Sequence, residues 1–208
     1  MSVINQLKIR GDTLIEVLFA ITIFSLTAVG GLSIMNQGTA ISQRALEITL
    51  VRQEIDAQAE ALRFLNSSYV AAYQSGLDYG VTPAGQWASM LENISDNEQA
   101  SDFSLMASGD CSSPAGSFAI DTRNAKFIKP ADNKLSLAQT YSQVRYNSDD
   151  QVTAVEGLWI EAVHPDIKKE NGQNNADYVD FHIRACWDSP GQSVPVTLGT
   201  IVRLYEPR

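Results

Sequence analysis

The stretch Arg10-Gly11-Asp12-Thr13-Leu14-Ile15-Glu16-Val17-Leu18-Phe19 decides how the rest of the chain is read. At Leu14 it opens an apolar run that continues to Met35, long enough to cross a bilayer as a helix of roughly 20 residues. Glu16 is the only ionisable group inside that run. A carboxylate placed in a membrane costs about 2.5–3.5 kcal/mol at the bilayer centre on insertion scales, and less near an interface, so a partner is expected for it.

Working outward, residues 1–11 read MSVINQLKIRG and hold Lys8 and Arg10 but no acid. By the positive-inside rule this places the N-terminus in the cytoplasm and everything after Met35 outside. A plain anchor satisfies these features. An ordinary secretory signal, cut after Ala40 in Gly38-Thr39-Ala40, fits less well, because the run is longer than the usual 7–15 residue core and contains Glu16.

Gly11-Asp12-Thr13-Leu14-Ile15-Glu16-Val17 closely resembles the prepilin processing motif of type IV pilins and pseudopilins. The resemblance covers about 25 residues, the span from leader to apolar run. It implies a leader at 1–11 ending in Gly11, removed by a membrane prepilin peptidase, and Asp12 as the mature first residue, usually N-methylated in the family. It further implies that Glu16 pairs with the N-terminal amine of a neighbouring subunit during assembly. The family's usual first residue is phenylalanine, so Asp12 is a departure, and its carboxylate would compete for the amine. The first-turn position of Glu16 has a simpler use as well, since a helix dipole favours acids there by about 0.3–1 kcal/mol.

Beyond Met35 helical spacing persists. Ile41, Ile48, Ile55 and Leu62 recur every seven residues, with Ala45 and Ala59 between them. Arg44, Glu47, Arg52, Glu54, Asp56, Glu60 and Arg63 form the expected solvated face. Arg52 with Asp56, and Glu60 with Arg63, stand at pairing distance for a few tenths of a kcal/mol each. The spacing predicts one helix from about Thr13 to Leu65, roughly 80 Å long at about 1.5 Å per residue. Residues 12–35 are then the membrane-spanning or filament-core half and 36–66 the amphipathic half. Gly30, Gly31 and Gly38 interrupt it at up to about 1 kcal/mol each.

Residues 67–208 read as an extracytoplasmic globular domain. Thr82-Pro83 starts a short helix over about 83–95. Short strands are expected around Ser117–Ile120 and Lys126–Ile128. A hairpin follows, from Thr140–Tyr146 through Asn147-Ser148-Asp149-Asp150 to one strand over Val152–Val163. Further strands are expected over Tyr178–Trp187 and Val194–Tyr205, with His164-Pro165-Asp166 entering a turn. Alternation along these strands puts one face on a core, the stripe of the long helix, and the other toward polar surroundings. The fold class is therefore α+β, a long N-terminal helix packed on a C-terminal antiparallel sheet, as in the pilin family.

The chain has 208 residues, 44% apolar, and a net charge of −9. Phosphate-backbone binding needs clustered Lys and Arg, so no nucleic-acid surface is expected. Cys111 and Cys186 are too far apart for a zinc knuckle or a CxxC motif, and His164 and His182 are the only further nitrogen candidates. A structural disulfide is their simplest use in an oxidising compartment. Asp180, His182, Arg184 and Cys186 share one strand face, which strand alternation alone produces. A Cys186–His182 hydrolase finds no nucleophile turn to support it. No phosphate loop, HExxH or GxSxG is present. No catalytic residue, metal or cofactor is assigned.

The resemblance thus implies a structural subunit of a type IV pilus or related filament. Its partners would be the prepilin peptidase, other pilin subunits, the inner-membrane assembly platform and membrane lipid. The chain would lie in the inner membrane before assembly and in an extracellular or periplasmic filament afterwards. Outside the N-terminus it does not resemble a major pilin, so a minor pilin is the expectation. A pseudopilin of a type II secretion or DNA-uptake system, and a membrane-anchored binding domain, are the alternatives.

Overall fold

The computed structural model describes residues 12–77, 79–94, 100–101, 111–163 and 178–207. Gly11 and the His164-Pro165-Asp166 turn lie outside them. The chain divides into two compact units, Met1–Arg44 and Ala45–Arg208. One helix, α1 (Asp12–Ser75), runs through both. It exceeds the sequence expectation by ten residues at its C-terminal end, because Ser67, Ser68 and Ser75 return their hydroxyls to Phe64 and Ala71 carbonyls and so do not compete with the helix.

In the first unit, α1 is apolar and exposed along Leu14–Met35, with Phe24 74% and Ile34 72% accessible. By length and composition this helix can cross a membrane.

In the second unit, the stripe Val51, Ile55, Ala59, Leu62 and Leu65 is buried in the core, with Ile48 at its margin; Ile41, expected in the same stripe, falls in the first unit and is exposed. A second helix, α2 (Pro83–Asn93), begins as expected: Thr82 caps it through its hydroxyl, which accepts from Gly85 N–H. Trp87 and Met90 are its buried anchors, and the Trp87 ring meets Phe181 edge-on at 5.6 Å.

The strands of the described residues form three small sheets. Antiparallel β1 (Ala119–Asp121) and β2 (Lys126–Ile128) make the first. The second orders β3 (Leu135–Ser136), β5 (Val152–Glu156) and β4 (Gln143–Tyr146), in which β3 runs parallel to β5. The third orders β6 (Leu158–Val163), β7 (Tyr178–Trp187) and β8 (Val196–Tyr205), antiparallel throughout.

The expected continuous strand Val152–Val163 is broken at Gly157, which takes φ +58° and sends β5 and β6 into different sheets. A Cβ there would stand 2.4 Å from the Cys186 carbonyl oxygen and 2.9 Å from the Ser142 hydroxyl, so only glycine fits. Ser142 secures the junction by donating to the Gly157 carbonyl at 2.8 Å.

Inward residues of the third sheet are Leu158, Ile160 and Ala162 of β6 with Phe181, Ile183, Ala185 and Trp187 of β7. They share the core with the α1 stripe, so a long helix packs on a C-terminal antiparallel sheet and the fold is α+β.

Candidate functional site: the N-terminal turns of α1 and the outer sheet face

Asp12 is the first residue of α1, which puts Glu16 just beyond the first helical turn. Glu16 is exposed and makes no hydrogen bond or ion pair with any described residue. Around it, Leu14, Ile15, Val17, Leu18 and Phe19 are all more than half accessible. Farther along, three hydroxyls are satisfied on the helix itself: Thr22 Oγ1 donates to Leu18 O at 2.5 Å, Ser25 Oγ to Ile21 O at 2.7 Å, and Thr27 Oγ1 to Phe24 O at 2.8 Å. A helix that meets its own polar needs in this way can be surrounded by hydrocarbon without orphaned donors. Nothing within 4 Å of Gly30, Gly31 or Gly38 requires glycine.

The outer face of β6–β7 was the other place where sequence spacing gathered reactive groups. There Cys186 is bonded to Cys111, with Cα atoms 5.3 Å apart. No thiol is therefore present for nucleophilic attack, and the disulfide packs against buried Trp159. Asp180 is engaged by Arg203 through two hydrogen bonds of 2.7 Å. Arg184 and Glu161 are both buried, 3.4 Å apart, and they hold Ser101 between them: its N–H donates to Glu161 at 2.8 Å and its carbonyl accepts from Arg184 at 2.5 Å. Trp159 Nε1 donates to Glu161 as well, at 3.1 Å. Buried charges survive only when paired and bonded like this.

His182 stands across from Glu161 in the ladder. Burial, aided by the Arg184 charge, pushes its pKa below the ordinary histidine value against the pull of Glu161 and Asp180. Among the described residues no group of three His, Cys, Asp or Glu side chains could hold a metal ion. The four alternating residues thus divide among a disulfide, a surface ion pair, a buried clamp and a half-buried imidazole.

Of the residues assigned to the solvated helix face, Arg44, Glu47 and Glu54 are only partly exposed. Glu47 accepts hydrogen bonds from Trp187 Nε1 at 3.1 Å and Ser189 Oγ at 2.6 Å. Glu54 is half-buried, and desolvation raises its pKa despite a bond from the Val144 backbone and the Arg123 charge. Glu60 and Arg63 do pair, at 2.5 Å, whereas Arg52 and Asp56 do not. Sequence reasoning also missed Gln58, fully buried inside the apolar stripe. Its amide donates to Ile120 O at 2.8 Å and accepts from Ile120 N–H at 2.9 Å. A polar residue between Ile55 and Leu62 was the available signal.

No family model matches the chain, and no curated protein or solved structure matches it either.

Proposed function

We propose that this protein is a filament subunit of the type IV pilin kind, a minor pilin, inserted as a precursor and cut after Gly11 by a prepilin peptidase. The observation that carries the reading is the exposed apolar run Leu14–Met35 of α1, close behind a basic leader ending in glycine, with Glu16 the only ionisable group of that run. An apolar surface of this extent must be covered, first by lipid and then by the same segments of other pilin subunits as the assembly platform extracts the chain. In that setting Glu16 supplies the polar group for a neighbour's amine, the one place where an ionic contact registers one subunit on the next. The all-helical backbone and the back-bonded hydroxyls of Thr22, Ser25 and Thr27 support both environments.

Mass spectrometry of the N-terminus in membranes and in sheared surface filaments tests the reading. A chain beginning at Asp12, dependent on a prepilin peptidase and present in the filament fraction, is expected. A chain that retains Met1 would make it a plain membrane-anchored domain. One beginning near Ile41 would make it a secreted protein. Asp12 cleavage with retention beside a secretion or DNA-uptake apparatus would make it a pseudopilin.

A further inference from the structure

The two edges of the β6–β7–β8 sheet are finished differently. On the β6 side, Phe118 and Ile160 exchange both backbone hydrogen bonds, at 3.0 and 2.8 Å. Along the free edge of β8, the described residues offer one contact, from Asn66 Nδ2 to the Tyr205 carbonyl at 3.3 Å. Every second residue of a paired strand turns its N–H and C=O away from its partner, so this ten-residue strand presents a long row of them.

Such edges are ordinarily blunted by lysine, proline or a bulge. Here the β7–β8 register runs unbroken from Tyr178↔Tyr205 to Trp187↔Val196, and the strand contains neither proline nor lysine. Its single charge, Arg203, is neutralised by Asp180 on β7. Ile201 and Tyr205 on the outward face are 60% and 55% exposed. A row of backbone donors and acceptors is satisfied by one kind of structure, another extended strand, and this neutral edge selects an uncharged one.

We propose that β8 is a homodimerisation edge that pairs antiparallel with β8 of a second copy, on a two-fold axis through Ile201. The length and polarity of the two strands then match by identity, as a closed two-fold contact requires. In this register Ile201 faces Ile201, Arg203 faces Gly199, and Tyr205 faces Thr197, all on the same side of the sheet. No like charges meet across the pair, and each arginine lies against a residue with no side chain. At a net charge of −9 the copies repel each other generally, and the strand itself adds no charge to that repulsion because Arg203 is paired with Asp180. The result is a six-stranded sheet continuous across two copies. The inference concerns the globular unit and stands whether or not Gly11 is a cleavage site.

The native cysteines are bonded to each other, so a single introduced cysteine gives a clean readout in the full-length protein in native membranes. Under mild oxidation Ile201→Cys is expected to form a covalent dimer. Arg203→Cys alone is expected not to, but mixing it with Gly199→Cys should restore a cross-linked pair. Ile201→Lys should lower the dimer fraction in detergent several-fold while the fold is kept, with an unchanged far-UV circular dichroism spectrum, because in a single copy the side chain is exposed. Equal cross-linking of Ile201→Cys and Arg203→Cys, a dimer that survives Ile201→Lys, a monomer throughout, or cross-links only to other proteins would each overturn the proposal.

Discussion

Trp187 of β7 donates its indole Nε1–H to the Glu47 carboxylate of α1 at 3.1 Å, and Ser189 donates to the same oxygen at 2.6 Å. Helix and sheet are joined at that point by a charge-assisted bond beside the apolar core. Glu47→Ala is expected to cost about 1–3 kcal/mol, since two partly buried donors lose their acceptor. Glu47→Gln, which keeps an acceptor, should cost less. Urea melts followed by tryptophan fluorescence measure both, and an Ala variant as stable as the parent would show the bond to be energetically idle.

Glu54 sets a pH dependence whose sign is fixed by its burial. Its folded-state pKa lies above the ordinary 4.5, so between those two values the folded protein holds more protons than the unfolded chain. The contribution of this group to stability is therefore lost as pH rises through that window. Glu54→Gln should stabilise the protein at pH 7 and make no difference below about pH 4, where both states are protonated. Thermal melts at the two pH values check it, and a variant less stable at pH 7 would contradict the sign.

Gly157→Ala places a Cβ against the Cys186 carbonyl at a positive φ. Strain and displacement together should cost about 3 kcal/mol or more. An equilibrium unfolding midpoint indistinguishable from the parent would show that β5 and β6 can part elsewhere.

Removing the Cys111–Cys186 bond opens a loop of 75 residues in sequence separation. On the chain-entropy model the paired serine variant should lose roughly 4 kcal/mol, an upper figure for real bridges. A mobility shift between reduced and oxidised samples on a gel is expected from the parent alone.

Glu16→Ala should leave insertion and the melt of the globular unit unchanged while depleting the protein from sheared filaments. Normal incorporation would remove the assembly role proposed for this carboxylate.

Much of this architecture was legible in the sequence because periodicity reports burial directly. Ile55, Ala59 and Leu62 marked the buried stripe, and alternation from Val179 to Trp187 marked both faces of β7. What escaped was polar and non-local. Glu47 and Glu54 look like any solvated helix acids until partners 140 and 142 residues away in the case of Glu47, and on β4 in the case of Glu54, are placed beside them. Gly157 was concealed inside a run with unbroken strand propensity, since only close approach to Cys186 and Ser142 reveals why the chain must turn there. The Gly11–Glu16 motif was legible as a pattern, but its use depends on molecules the chain meets elsewhere.

Gln58 and Glu47 together have a mechanical consequence. They fasten α1 to β-structure at two points about 16 Å apart along the helix axis, at about 1.5 Å per residue. Apolar contacts allow a helix to slip by a turn at modest cost, because one methyl replaces another; directional bonds do not. Ile120 lies in β1 and Trp187 in β7, so the two fastenings key this part of α1 to two separate sheets, and sliding it along its axis would break directional bonds in both.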